Sequence, residues 1–174
     1  DMIVFNRCDE NLRTALRSRN LRMVNRRASI YLENLDGTSD DYDDGSLCPF
    51  DLSQPVIHIP DDDFGIFYVD AMEHTERWVG KTIQAKMVMC HIAKYPGFAA
   101  PGRFAMLCCE KDVSFLGMVA KGNHLDDFET RDWVELTAKI DTIEHELYGG
   151  QTGPLLEIES ISAAEKPAQE VVTF

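Results

Sequence analysis

The stretch that decides the fold begins at residue 81 and reads Lys81-Thr82-Ile83-Gln84-Ala85-Lys86-Met87-Val88-Met89-Cys90-His91-Ile92. Ile83, Ala85 and Met87 alternate in it with Gln84 and Lys86. A period of two residues is typical of a β-strand with one buried face. The sequence therefore predicts that a β-rich region begins here.

Four further strands are predicted after this one. They run from Arg103 to Cys109, from Val113 to Ala120, from Val134 to Thr142 and from Leu155 to Ile161. Five short strands, with Gly117 as a candidate bulge, favour a small barrel of OB type, and a five-stranded sandwich is the alternative. The predicted fold class is thus mainly β (α+β), a small five-stranded OB-like barrel preceded by one or two helices.

One of these helices is predicted over residues 61–80. Asp62 or Asp63 can cap its start, and Gly80 supplies its C-terminal stop. The residues predicted on or beside its apolar face are Tyr68, Ala71, Met72, Thr75, Trp78 and Val79. Just before the helix, Val56-Ile57-His58-Ile59 is predicted to form a short edge strand.

The chain has 174 residues and a net charge of −13, and its charged residues are distributed unevenly along the sequence. Residues 1–27 carry seven Arg against three acidic residues, whereas residues 28–80 carry one Arg against 13 acidic residues. The predicted layout is a basic helical segment (1–33), an acidic and Pro-rich linker (34–60), a helix plus OB-like barrel (61–165) and a tail (166–174). The overall acidity excludes nucleic acid as a general partner, because phosphate binding needs clustered Lys and Arg.

The basic segment has two interpretations. A solvated helix that packs one apolar stripe on the domain is the first. The second is contact between residues 7–27 and an anionic membrane surface, which contributes about 1 kcal/mol per Arg. No apolar run reaches the roughly 20 residues of a membrane span. Because the first residue is Asp, we expect further residues upstream of it.

A family resemblance rests on the barrel region. The motifs that carry it are Trp78-Val79-Gly80-Lys81-Thr82-Ile83, Arg103-Phe104-Ala105-Met106-Leu107-Cys108-Cys109-Glu110-Lys111-Asp112-Val113, Trp133-Val134-Glu135-Leu136-Thr137 and Pro154-Leu155-Leu156-Glu157-Ile158. In this order they resemble the signature of a bacterial family, domain of unknown function 1980 (DUF1980). The resemblance covers about residues 61–165, and the tandem cysteines are its most specific part. The chain departs from it at Val113, where relatives have Ala.

The resemblance implies a function and a location. Such proteins look like partner subunits of a permease, with N-terminal transmembrane helices followed by a soluble C-terminal domain. The implied partner is a permease subunit or another membrane protein. The implied location is a soluble domain of a membrane-associated bacterial protein, on a side of the membrane that the sequence leaves open.

Five cysteines carry the remaining chemical signal: Cys8, Cys48, Cys90, Cys108 and Cys109. If the first two strands form a hairpin, Cys90 is expected across from Cys108, or His91 across from Cys108 or Met106. Cys108, Cys109, Cys90 and His91 are therefore candidate ligands of zinc or another soft metal, with Asp112 as a weaker candidate. Buried thiols in the core, and a disulfide, are the alternatives.

Enzymatic motifs are not found in the sequence. It contains no Gly-rich phosphate loop, no HExxH and no GxSxG. We therefore expect a non-enzymatic accessory or binding domain that handles a metal or a thiol ligand. A structural protein-interaction module is the alternative, and a thiol enzyme, which needs a histidine beside a reactive Cys, is a third.

Overall fold

A computed structural model describes residues 48–106 and 113–173. The predicted basic segment (1–33), its expected membrane contact at 7–27 and the first part of the predicted linker lie outside these residues. Within them, no helix is both long enough and apolar enough to span a membrane.

The described part of the chain is mainly β. Its strands are β1 (Ile57–Ile59), β2 (Thr82–Val88), β3 (Gly102–Met106), β4 (Val113–Gly117), β5 (Val119–Gly122), β6 (Trp133–His145), β7 (Gln151–Ala163) and β8 (Val171–Thr173). Its helices are α1 (Phe64–Glu73) and α2 (Thr75–Trp78), and short 3-10 turns lie at Asp61–Asp63, Leu125–Asp127 and Glu146–Tyr148.

The strands form one sheet that curves into a nearly closed barrel. Six of them follow the order β4-β3-β2-β6-β7-β5. β5 pairs in parallel with β7, and the other neighbours along this path are antiparallel. Since the chain runs directly from β4 to β5, it connects the two ends of this order.

The predicted count of five strands is wrong, because the described residues contain eight strands and six of them make the barrel. The predicted third strand is divided at Met118, whose backbone N–H donates to Pro101 O at 3.1 Å. The predicted edge strand is confirmed as β1, which pairs in parallel with β2. β8 was not predicted, and it lies inside the segment that the sequence assigns to a tail.

The core lies between the inner face of the sheet and α1. Strand β6 alternates as predicted, with Val134, Leu136, Ala138 and Ile140 buried. Helix α1 buries Phe64, Phe67, Tyr68 and Ala71, whose spacing places them on one helical face.

The predicted helix at 61–80 is only partly correct. Asp63 is the N-cap of α1, and Gly80, with a φ of +80°, follows the end of α2. However, the helix is interrupted at His74. Val79, predicted on the apolar face, is 43% exposed, because it follows the last residue of α2 with extended backbone angles.

Candidate functional site

A small apolar cluster lies on the outer face of the barrel, separate from the core. Its buried members are Val88, Cys90 and Phe115, and Phe104 and Trp133 pack against them. Along β2 and the two residues that follow it, Ala85, Met87 and Met89 belong to the core, so the alternate residues Val88 and Cys90 point outward. We call this cluster the outer-face cluster.

Two aromatic side chains of the cluster face each other across β3 and β4. Phe104 is the register partner of Phe115, and their ring centroids lie 5.0 Å apart at an interplanar angle of 62°. Edge-to-face ring pairs of this kind stabilise a sheet by about 0.5–1.5 kcal/mol beyond the area they bury. Val113, two residues before Phe115 on β4, projects from the same face and is 43% exposed. The outer-face cluster therefore continues into accessible apolar surface.

Arg103 lies beside this cluster and is only 1% exposed. One terminal nitrogen donates to Asp61 Oδ1 at 2.6 Å, and the other donates to Gln169 O at 2.9 Å. The guanidinium carbon lies 4.9 Å from the centre of the Trp133 ring. The Nε atom makes no hydrogen bond within the described residues. A buried guanidinium is costly unless it is paired, so Asp61 and the Gln169 carbonyl are required partners.

The position of Arg103 follows from the way β2 and β3 separate. These strands share a single paired position within the ladder, Val88 with Gly102. β1 then pairs with β2, and β8 pairs with β3. Arg103 therefore lies where the two strands diverge, and it connects the 3-10 turn before α1 to the segment before β8.

Two loops meet at one end of the barrel. Lys94, in the loop after β2, forms an ion pair with Glu146 after β6 at 2.5 Å, and Tyr95 donates to the same carboxylate. These two hydrogen bonds lower the pKa of Glu146. The rings of Tyr95 and Phe98 lie 4.7 and 5.3 Å from the ring of His145. This contact holds the two loops together.

Of the predicted metal ligands, Cys90 and His91 are described. Cys90 is 2% exposed, and burial raises the pKa of its thiol, which disfavours the thiolate that binds metals. His91 Nε2 lies 2.7 Å from Phe128 O, and because a carbonyl oxygen only accepts, this nitrogen is the donor. Cys90 is thus buried in the outer-face cluster, whereas the His91 ring is hydrogen-bonded to a backbone carbonyl.

The predicted register between the first two strands is wrong. His91 forms its bridge with Ala99, and Cys90 O accepts from the Ala100 N–H at 2.8 Å. The chain thus turns back earlier than predicted, because Phe98 N–H bonds to Tyr95 O in a tight turn. Cys108, Cys109 and Asp112 lie outside the described residues. Among the residues described, no three His, Cys, Asp or Glu side chains are grouped as metal ligands.

Sequence reasoning did not select Arg103, Trp133 or Val113 as site residues. The sequence placed Arg103 at the start of the predicted second strand, and both Arg103 and Trp133 in the family motifs. A charged residue at the start of an otherwise apolar strand was the signal that could have identified Arg103, because a buried Arg needs a dedicated partner.

Comparison with known families agrees with the resemblance seen in the sequence. A family model described as the DUF1980 C-terminal domain matches residues 35–172. The match begins well before residue 61 and includes the segment that carries β1. No curated protein matches the chain. Since the family model covers most of the chain, the protein belongs to the DUF1980 C-terminal domain family.

Proposed function

We propose that this chain is a non-enzymatic accessory domain of a membrane permease system, and that it binds a protein partner through the outer face of β3 and β4. The observation that carries the proposal is the continuity between the Phe104–Phe115 pair and the exposed Val113. Accessible apolar side chains around buried aromatic residues are typical of protein-binding surfaces.

The order of strand pairing supports the choice of this face. We infer an OB-type barrel, in which β4 and β5 are the two halves of one strand broken at Met118. In that fold the outer face of the second and third strands, with the loops after the first and fourth strands, forms the binding surface. Here these elements are β3, β4 and the two loops held together by Lys94, Tyr95 and Glu146.

The charge of the chain favours a protein as the occupant. A net charge of −13 opposes binding of nucleic acid, so the aromatic pair is not proposed as a platform for bases. The same charge favours a partner with basic residues around an apolar contact. A permease subunit is the partner that the family resemblance implies.

Metal or thiol-ligand handling through Cys108, Cys109, Cys90 and His91, with Asp112 as a weaker ligand, stays a prediction. The contacts of Cys90 favour its alternative role as a buried apolar residue. Elemental analysis of protein purified without chelator tests the metal prediction. The absence of bound zinc, together with unchanged thiol accessibility when zinc is added, would contradict it.

Site-specific crosslinking tests the proposed face. A photo-crosslinking amino acid is placed at position 113, or at position 79 as the matched control, since Val113 and Val79 are both 43% exposed. In cells that also produce the permease subunit, we expect a crosslink to that subunit from position 113 only. Crosslinks from both positions, or from neither, would contradict the proposal.

A further inference from the structure

The C-terminal strand extends the row of apolar residues on the outer face. β8 pairs in parallel with β3 and places Val171 opposite Phe104. Phe104 in turn lies opposite Phe115 on β4. Since paired positions on neighbouring strands project to the same side of a sheet, these residues form one row across three strands. The neighbouring Val172, 2% exposed, belongs to the core on the other side.

Two contacts hold β8 in this position. Val172 packs in the core together with Ala105 of β3. Arg103 donates to the carbonyl of Gln169, two residues before the strand begins. Since Arg103 is also paired with Asp61, the position of β8 is linked to the start of α1. Arg103 is therefore a positioning residue for the segment that carries Val171.

We propose that β8 is part of the partner-binding surface, and that the surface formed by β8, β3 and β4 receives an amphipathic helix of the partner. This inference rests on the proposed function and specifies the form of its ligand. Neighbouring strands are about 4.8 Å apart. On a helix, apolar side chains three or four residues apart are separated by about 5–6 Å. Because the two spacings are similar, successive apolar side chains of a helix that crosses the strands can each contact one strand of the row.

Charge and exposure define the partner helix further. The half-buried Val171 and Phe104 and the exposed Val113 offer apolar contacts. Residues 81–174, which carry the barrel and β8, hold 14 acidic against 9 basic residues, so a helix with Lys or Arg beside its apolar stripe is favoured over an acidic one. A basic amphipathic helix of the permease subunit is the occupant to which we commit.

The test measures the affinity of full-length variants for the purified permease subunit. Val171→Asp places a charge in the row at β8. Val113→Asp places one on the same face of β4, two residues from Phe115, and Val79→Asp is the control outside this face. We expect both Val171→Asp and Val113→Asp to weaken binding by about tenfold or more, because each buries a charge against an apolar stripe. We expect Val79→Asp to bind like the wild type.

A second variant separates loss of the apolar contact from displacement of β8. Val171→Thr keeps the β-branched shape that favours a strand, so β8 stays paired with β3. Its hydroxyl makes the contact less apolar, and we expect binding a few-fold weaker than wild type. If Val113→Asp weakens binding but neither Val171 variant does, β8 is not part of the surface and the proposed function still stands. If no variant weakens binding, both proposals are wrong.

Discussion

Phe104 of β3 and Phe115 of β4 lie directly opposite each other on the outer face of the barrel, with ring centroids 5.0 Å apart. The backbones of β3 and β4 approach closely two residues away on each strand, where Gly102 is paired with Gly117. The aromatic pair and the glycine pair together fix the register of the two strands that carry the proposed binding face.

Substitution of Gly102 by Ala should destabilise the barrel. A Cβ atom at this position would lie 2.0 Å from Leu116 O and 2.7 Å from Gly117 Cα, and these are backbone atoms that cannot rotate away. We expect a loss of about 2 kcal/mol or more in the free energy of unfolding, measured by urea denaturation. An unchanged midpoint and slope would show that the strands are farther apart than described.

Tyr148 should contribute more to stability than Tyr95. Its hydroxyl donates to Pro154 O at 2.6 Å and accepts from Val119 N–H at 2.9 Å, both in a buried site. Tyr148→Phe leaves both backbone groups without this partner, and we expect a loss of about 2 kcal/mol in the free energy of unfolding.

Tyr95→Phe is the matched control for this prediction. Tyr95 donates to the exposed Glu146 carboxylate, so its removal should change the free energy of unfolding by about 0.5 kcal/mol or less. Equal losses for the two variants would contradict the buried position assigned to the Tyr148 hydroxyl.

Cys90 should be unreactive in the folded protein. It is 2% exposed, and burial raises the pKa of its thiol. Because the folded-state pKa is raised, this group contributes stability below its unfolded pKa, and that stability is lost as the pH rises through the folded value. Iodoacetamide labelling at pH 8, followed by peptide mass spectrometry, should modify Cys90 only after unfolding in urea. Rapid labelling of Cys90 in the native protein would contradict this prediction and would instead support the reactive thiol of an enzyme.

The contact of Lys94 and Tyr95 with Glu146, which joins the two loops, should weaken at acidic pH. Hydrogen bonds from Lys94 and Tyr95 lower the pKa of Glu146, so its contribution is present above the unfolded pKa and is lost as the pH falls through the folded value. A carboxyl titration followed by NMR should give Glu146 a midpoint below that of an ordinary Glu. Lys94→Met should move the midpoint upward, and an unchanged midpoint would show that the contact does not form in solution.

The strands were predictable because their signal is local. Val134, Leu136, Ala138 and Ile140 show the two-residue period directly in the sequence, and all four are buried. The division at Met118 was not predictable in this way. It depends on a hydrogen bond from Met118 to Pro101, in a loop that the pattern of the strand does not describe.

The candidate site was less predictable because its contacts join distant segments. Arg103 pairs with Asp61 and Gln169, which lie 42 and 66 residues away. The register of Cys90 and His91 depends on where the loop turns back, and periodicity says nothing about that position. β8 has a weak signal, the β-branched pair Val171-Val172, but three residues are too few to establish a period.

The most direct test of the central claim is the affinity of the full-length protein for the purified permease subunit, compared between Val113→Asp and Val79→Asp. Both residues are 43% exposed in the folded protein, so the two substitutions are expected to affect stability little. If the outer face of β3 and β4 binds the partner, Val113→Asp weakens binding by about tenfold or more, and Val79→Asp does not. Equal affinities for the two variants would contradict the claim.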